Sequence, residues 1–176
     1  MAILNILKYP EKSLSKPSVP VEAIDDEIKA LIKDMGETMF HDSGVGLAAP
    51  QVGVNKRILV YDAHAADPDL ENEDQEIIAL INPEITAKSE DTFISENEGC
   101  LSVTDFRADV KRHVRVTVKA QNIDGKQMEF NADGLLSVIM QHEIDHLDGV
   151  LFIDRISVLK RAMYKKKLLK KMKKDQ

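Results

Sequence analysis

The sequence predicts an α+β protein. Three observations carry that expectation: an apolar stripe at helical spacing early in the chain, short apolar runs and a valine/charge alternation through the middle, and two more helical patterns after residue 133.

From Asp25 to His41, Ile28, Leu31, Ile32, Met35 and Met39 recur at three- and four-residue steps. Asp25 or Asp26 can serve as N-cap and Gly44 lies near the end, so the stretch predicts an amphipathic helix. Arg57–Tyr61 and Ile77–Ile81 are expected strands, and Asn82-Pro83 is expected to end the second, because proline cannot donate to a sheet ladder. The acidic stretch from Asp62 to Glu76 between them has no apolar period and reads as an exposed, mobile loop. Val114, Val116 and Val118 alternate with Arg115, Thr117 and Lys119, and Asp124-Gly125 is expected to supply the positive-φ turn of an antiparallel hairpin returning through Met128-Glu129-Phe130.

Leu135, Ile139, His142 and His146 then fall four, three and four residues apart, on one core-facing stripe of a helix starting near Asp133 and ending near Gly149. A last helix from about Val158 is expected to bury Leu159, Met163 and one of Leu169 or Met172 under a lysine-rich exterior. There is no internal repeat and no evident boundary, so residues 1–176 are expected to form one domain, with about 157–176 as a basic C-terminal helix.

Composition limits the function classes. The apolar content of 43% in 176 residues suffices for one core. Charge is divided: residues 1–154 carry a formal −15 and residues 155–176 a formal +9, which gives the net −6. The single cysteine excludes an intrachain disulfide, and no basic start leads into an apolar stretch of the secretory kind. A cytoplasmic location is therefore expected. No apolar run nears the ~20 residues that a membrane span needs, so no membrane partner is expected.

The chemistry is concentrated in His142-Glu143-Ile144-Asp145-His146. Two imidazoles one helical turn apart can grip one cation, while Glu143 is rotated to reach a metal-activated water without ligating. Such a site wants a third protein ligand. Cys100, in Glu98-Gly99-Cys100-Leu101-Ser102, offers a thiolate where glycine permits close backbone approach; a lone cysteine is more often a buried structural one, but beside the paired histidines the ligand reading takes precedence. The small, apolar Gly44-Val45-Gly46-Leu47-Ala48-Ala49-Pro50-Gln51 ends in an amide that can donate to an oxyanion, or is simply a turn from helix to strand. No helix pattern follows it, so it makes a poor phosphate cradle.

Taken in order, the motifs at 44–51, 98–102 and Gln141–His146 closely resemble the three signature motifs of the peptide deformylase family. The likeness extends from Lys8-Tyr9-Pro10 through Asp34-Met35 and Glu37-Thr38-Met39 to Leu151–Arg155. The resemblance implies antiparallel β-sheets packed around a central metal-binding helix, with an N-terminal and a C-terminal helix. It implies metal ligation by Cys100, His142 and His146, general acid/base action by Glu143, and oxyanion stabilisation by the Gln51 amide and the Leu101 N–H. The expected cofactor is one divalent ion, Fe(II), in a donor set that also accepts Zn(II), Ni(II) or Co(II). The expected substrate is the N-formylmethionyl nascent peptide, with Val45, Leu135, Val138 and Ile139 lining the methionine pocket and the substrate backbone adding to a sheet edge near Gly46 and Gly99.

The chain departs from many family members in lacking a proline soon after the cysteine motif, where it reads Ser102–Phe106 before Arg107. This implies a looser substrate-entrance loop. Arg107 and Arg112 keep family-like spacings, so Arg107 is expected to meet substrate and Arg112 to pair with Glu98, with solvated surface arginine as the alternative. The lysines of 165–174 suit docking on ribosomal RNA, or are a solvated end. Oligomeric state is not predicted. Two rival readings remain: a zinc endopeptidase, which shares the His-Glu-x-x-His logic but usually takes its third ligand C-terminal to that helix, and a non-catalytic, RNA-associated metal-binding module.

Overall fold

The computed structural model describes residues 2–67 and 76–174. Helix α1 (Asp26–His41) starts where the Asp25 carboxylate accepts from the Ile28 N–H. Its stripe buries Ile32, Met35 and Met39 fully and packs Ile28 and Leu31 partly against the same cluster. Strand β1 (Gly46–Ala48) and a 3₁₀ turn over Ala49–Val52 lead to β2 (Ile58–Asp62).

Strand β2 is apolar at consecutive positions because both its faces are covered. Ile58 and Val60 pack against α1, and Leu59 and Tyr61 pack against a helix farther along the chain. The acidic stretch after it proves to begin with one helical turn, α2 (Ala63–Ala66), capped by Asp62. The rest of that expected loop, residues 68–75, lies outside the described residues.

The next strand corrects one expectation. Asn82-Pro83 does not end it: β3 runs over Ile77–Lys88. The pairing with a later strand shifts register between Ile81 and Glu84, and Asn82 takes φ 52° there. A bulge thus absorbs the proline. The Asn82 side chain fills the irregularity, accepting from the Val21 N–H at 2.8 Å and donating to the Val21 carbonyl at 2.9 Å.

Two strands without a legible sequence pattern follow, β4 (Thr92–Cys100) and β5 (Val103–His113), paired as a separate two-stranded sheet. Val114 sits at the bend beyond β5 and is 36% exposed, so the expected valine alternation begins only at Val116. Strands β6 (Arg115–Gln121) and β7 (Gln127–Asp133) form the expected hairpin. Its turn differs: of Asp124-Gly125, only Gly125 has positive φ, and the Asn122 carboxamide closes the loop by accepting from the Asp124 and Lys126 N–H groups. The larger sheet is antiparallel throughout, in the order β1-β2-β3-β6-β7.

Helix α3 (Gly134–Leu147) is buried continuously from Ile139 to Leu147. Ile139, Met140, Ile144 and Leu147 pack on Leu59, Tyr61, Leu80, Val116 and Val118 of the larger sheet. Leu135 departs from the expected core stripe; at the helix start it is 50% exposed. Gly149 ends the helix at φ 74°, where a Cβ would lie 2.7 Å from the Ser15 carbonyl oxygen.

Helix α4 (Val158–Lys174) buries a different face from the one expected. Leu159, Met163, Leu169 and Met172 are 72, 64, 57 and 42% exposed, whereas Tyr164 is 3% exposed and Leu168 is partly buried. The aromatic ring decides the docking, since Tyr164 meets Phe106 with ring centroids 4.5 Å apart and Tyr9 at 6.1 Å. Among the described residues no helix is long and apolar enough to cross a membrane.

Candidate active site

Cys100 ends β4, while His142 and His146 stand one turn apart on α3. Their Sγ and ring nitrogens lie within 4.8 Å of one another, with Cys100 Sγ 3.1 Å from His146 Nε2. His142 turns Nδ1 to the Glu98 carboxylate at 2.7 Å, which leaves Nε2 to face the cluster. Burial alone would raise the Cys100 thiol, but the imidazoles of His146 and His142 pull it well below its ordinary value, toward thiolate. One thiolate, partly exposed, and two buried imidazoles converge into a donor set suited to a single divalent transition ion.

Behind this cluster lies a buried charge network. Arg112, 2% exposed, donates through Nε to Glu98 at 3.2 Å and through Nη1 to Asp145 at 2.8 Å, and Arg155 donates to Asp145 from the other side. Burial pushes the Glu98 carboxyl up, but hydrogen bonds from His142 and Arg112 outweigh it and hold Glu98 at about 2. The expected Arg112–Glu98 pair is thus present, and Arg112 is no solvated surface group.

Glu143 is 5% exposed, and its Oε2 is buried without a hydrogen-bond partner. Burial raises its pKa, with Cys100 and Glu98 adding to the effect and the two histidines opposing it. Gly46 makes room for this carboxylate, since a Cβ there would lie 2.6 Å from Glu143 Oε1. Gln51, 1% exposed, has its amide orientation fixed: Oε1 accepts from the Ala48 N–H at 2.8 Å, so Nε2 points at Cys100 Sγ, 3.6 Å away, and Ser102 Oγ, 3.2 Å away. Ser102 and Asp145 are contributors that the sequence reading did not assign. Ser102 is fully buried and its N–H donates to Cys100 Sγ at 3.4 Å.

These groups open into a cleft of about 860 Å³. Val45, Leu135, Val138 and Ile139 line it, with Val45 and Leu135 at the exposed mouth and Ile139 3% exposed at depth. Gly46, Gly99, Leu101 and Arg107 line it as well, and Arg107 Nη1 donates to the Asn97 carbonyl at 3.2 Å. The entrance after Ser102 is paired strand, not free loop, yet it bulges: between Cys100↔Val103 and Glu98↔Ala108, five steps along β5 answer two along β4.

A His-Glu-x-x-His helix completed by an upstream cysteine, with a buried carboxylate and a side-chain amide facing the donors, defines a metallohydrolase site. Comparison with known proteins makes the assignment specific. The family model described as Polypeptide deformylase matches residues 3–162, and the chain belongs to that family. It is 49% identical over 167 residues to a peptide deformylase of Thermodesulfovibrio yellowstonii, covering 95% of this chain and 97% of that one. The crystal structure of a peptide deformylase from Legionella pneumophila superposes with a TM-score of 0.86 at 43% identity, covering 99% and 98% of the two chains. That of peptide deformylase from Ehrlichia chaffeensis in complex with actinonin gives 0.87 at 38% identity, covering 97% and 98%.

One prediction follows from the charge network. Arg112→Met strips Glu98 and Asp145 of their shared buried counter-charge and should destabilise the fold by about 3 kcal/mol. It should also weaken metal retention roughly tenfold, because His142 loses a fixed carboxylate partner. Urea denaturation and metal titration check both, and wild-type behaviour in both would contradict the network's role.

Proposed function

We propose that the chain hydrolyses the N-formyl group from the N-terminal formylmethionine of newly made proteins, releasing formate. The observation that carries this reading is the buried, unpartnered Glu143 carboxylate beside three converging donors and the Gln51 amide. Cys100, His142 and His146 hold one divalent ion per chain, Fe(II) in the cell. When bound, that ion supplies Lewis-acid polarisation and makes water nucleophilic near neutral pH.

Glu143 accepts the proton of the attacking water as its oxygen bonds to the formyl carbon. Its buried place beside the three donors suits it to hold that proton and then deliver it to the leaving amine nitrogen as the C–N bond breaks. The water is consumed, and formate and a free amino terminus result. Gln51 Nε2 and the Leu101 N–H donate to the formyl oxygen while it carries negative charge. Val45, Leu135, Val138 and Ile139 receive the methionine side chain. The substrate backbone runs between Gly46 on β1, an edge strand of the larger sheet, and Gly99 on β4, with Arg107 at the rim.

The residues work as one catalytic domain in the cytoplasm. The position of the third donor disfavours an endopeptidase, since Cys100 precedes α3 in the chain. Helix α4 docks on ribosomal RNA near the emerging peptide. Lys166, Lys170 and Lys173 are exposed on the side of α4 away from buried Tyr164, which supports this role.

Replacing Glu143 by Ala should leave one metal ion bound and lower formate release from formyl-Met-Ala by ~10² or more; full activity would remove the acid/base role. Wild-type chain should co-sediment with ribosomes in a salt-sensitive manner, and the triple change Lys166→Gln, Lys170→Gln, Lys173→Gln should abolish it. Unchanged co-sedimentation of that variant would refute docking through α4.

A further inference from the structure

Three consecutive residues before α1 reach across the cleft region. The Leu7 N–H donates to the Gln51 carbonyl at 2.7 Å, and the Tyr9 N–H donates to the Ser102 carbonyl at 2.8 Å. Between them, Lys8 Nζ donates to the Leu101 carbonyl at 2.7 Å. Gln51 lies on the turn after β1, whereas Leu101 and Ser102 form the turn between β4 and β5, so one short segment ties together two turns from different sheets.

We infer that residues 7–9 are a strap that fixes the two oxyanion donors, Gln51 Nε2 and the Leu101 N–H, relative to each other, with Lys8 as a positioning residue for deformylation. The inference rests on the deformylase reading above. Oxyanion stabilisation is effective only when its donors are oriented before charge develops, so whatever holds the residues that carry them contributes to the rate.

Ser102 is pinned by its carbonyl to Tyr9 and by its Oγ to Gln51 Nε2. Lys8 holds the Leu101 carbonyl, and with it the peptide plane that follows Leu101, while the sulfur contacts hold Cys100; the peptide plane that carries the Leu101 N–H lies between these two restraints. The strap is itself anchored at both ends. Ile6 is 5% exposed in the cluster beneath α1, and the Tyr9 ring packs with Tyr164.

Lys8 is exposed and lines the cleft, so its polar head can be removed without opening the core. Lys8→Met keeps most of the stem and loses every donor; Lys8→Arg restores donors. The experiment measures kcat and KM for formate release from formyl-Met-Ala by metal-loaded wild type and both variants, with metal content and Tm. The expected result for Lys8→Met is a kcat lowered about tenfold with KM, metal stoichiometry and Tm unchanged, and for Lys8→Arg a kcat within about twofold of wild type. Wild-type kcat in Lys8→Met, no recovery in Lys8→Arg, or a loss that tracks metal or KM would overturn the strap. Hydrogen exchange on the wild type gives a second reading: the Leu7 and Tyr9 amides should be strongly protected, and exchange at free-peptide rates would overturn it whatever the variants do. A wild type that releases no formate would instead overturn the deformylase reading.

Discussion

The site depends on one buried cation. Arg112 stands on β5 between Glu98 on β4 and Asp145 on α3, so the small sheet and the central helix are joined by charge as well as by packing. Removing an arginine from water is costly, and here that cost is offset only because two carboxylates converge on it. One of them, Glu98, also orients the His142 ring, and the other sits one residue before His146. The interaction that closes the two layers therefore also aims the imidazoles.

Around that anchor, the positions of Glu143 and Gln51 are set by space. Glu143 approaches the donors because residue 46 has no side chain. Gln51 points its N–H at the sulfur because its oxygen is already occupied by Ala48. Both constraints come from the segment after α1, whose position is set by β2, clamped between the two apolar clusters. The order of dependence runs from core packing, to the β1 turn, to the polar atoms facing the metal donors.

Much of this was legible in the sequence where one period dominated. The stripe of α1 and the spacing of His142 and His146 gave helices with the right faces inward, and the three motifs implied a family that the comparisons bear out. The rest was hidden for physical reasons. In β5 the inward positions are Ala108, Val110 and Arg112, so a strand with clean two-residue alternation carries a charge in a core slot and reads as polar. In β3 a bulge keeps a strand going past a proline. In helix α4 the aliphatic residues suggest one face, whereas the buried contact is made by one tyrosine whose partners, Phe106 and Tyr9, are remote in sequence. Ser102 and Lys8 make contacts to sulfur and backbone that no local pattern encodes.

The central claim is that one ion is held by a thiolate from the small sheet and two imidazoles from α3. X-ray absorption at the metal edge, on protein loaded anaerobically with one equivalent of zinc or iron, tests it directly. The account predicts one sulfur scatterer, at about 2.3 Å for zinc, together with two imidazole nitrogens at about 2.0–2.1 Å. A first shell without sulfur, or with a single imidazole, would contradict it.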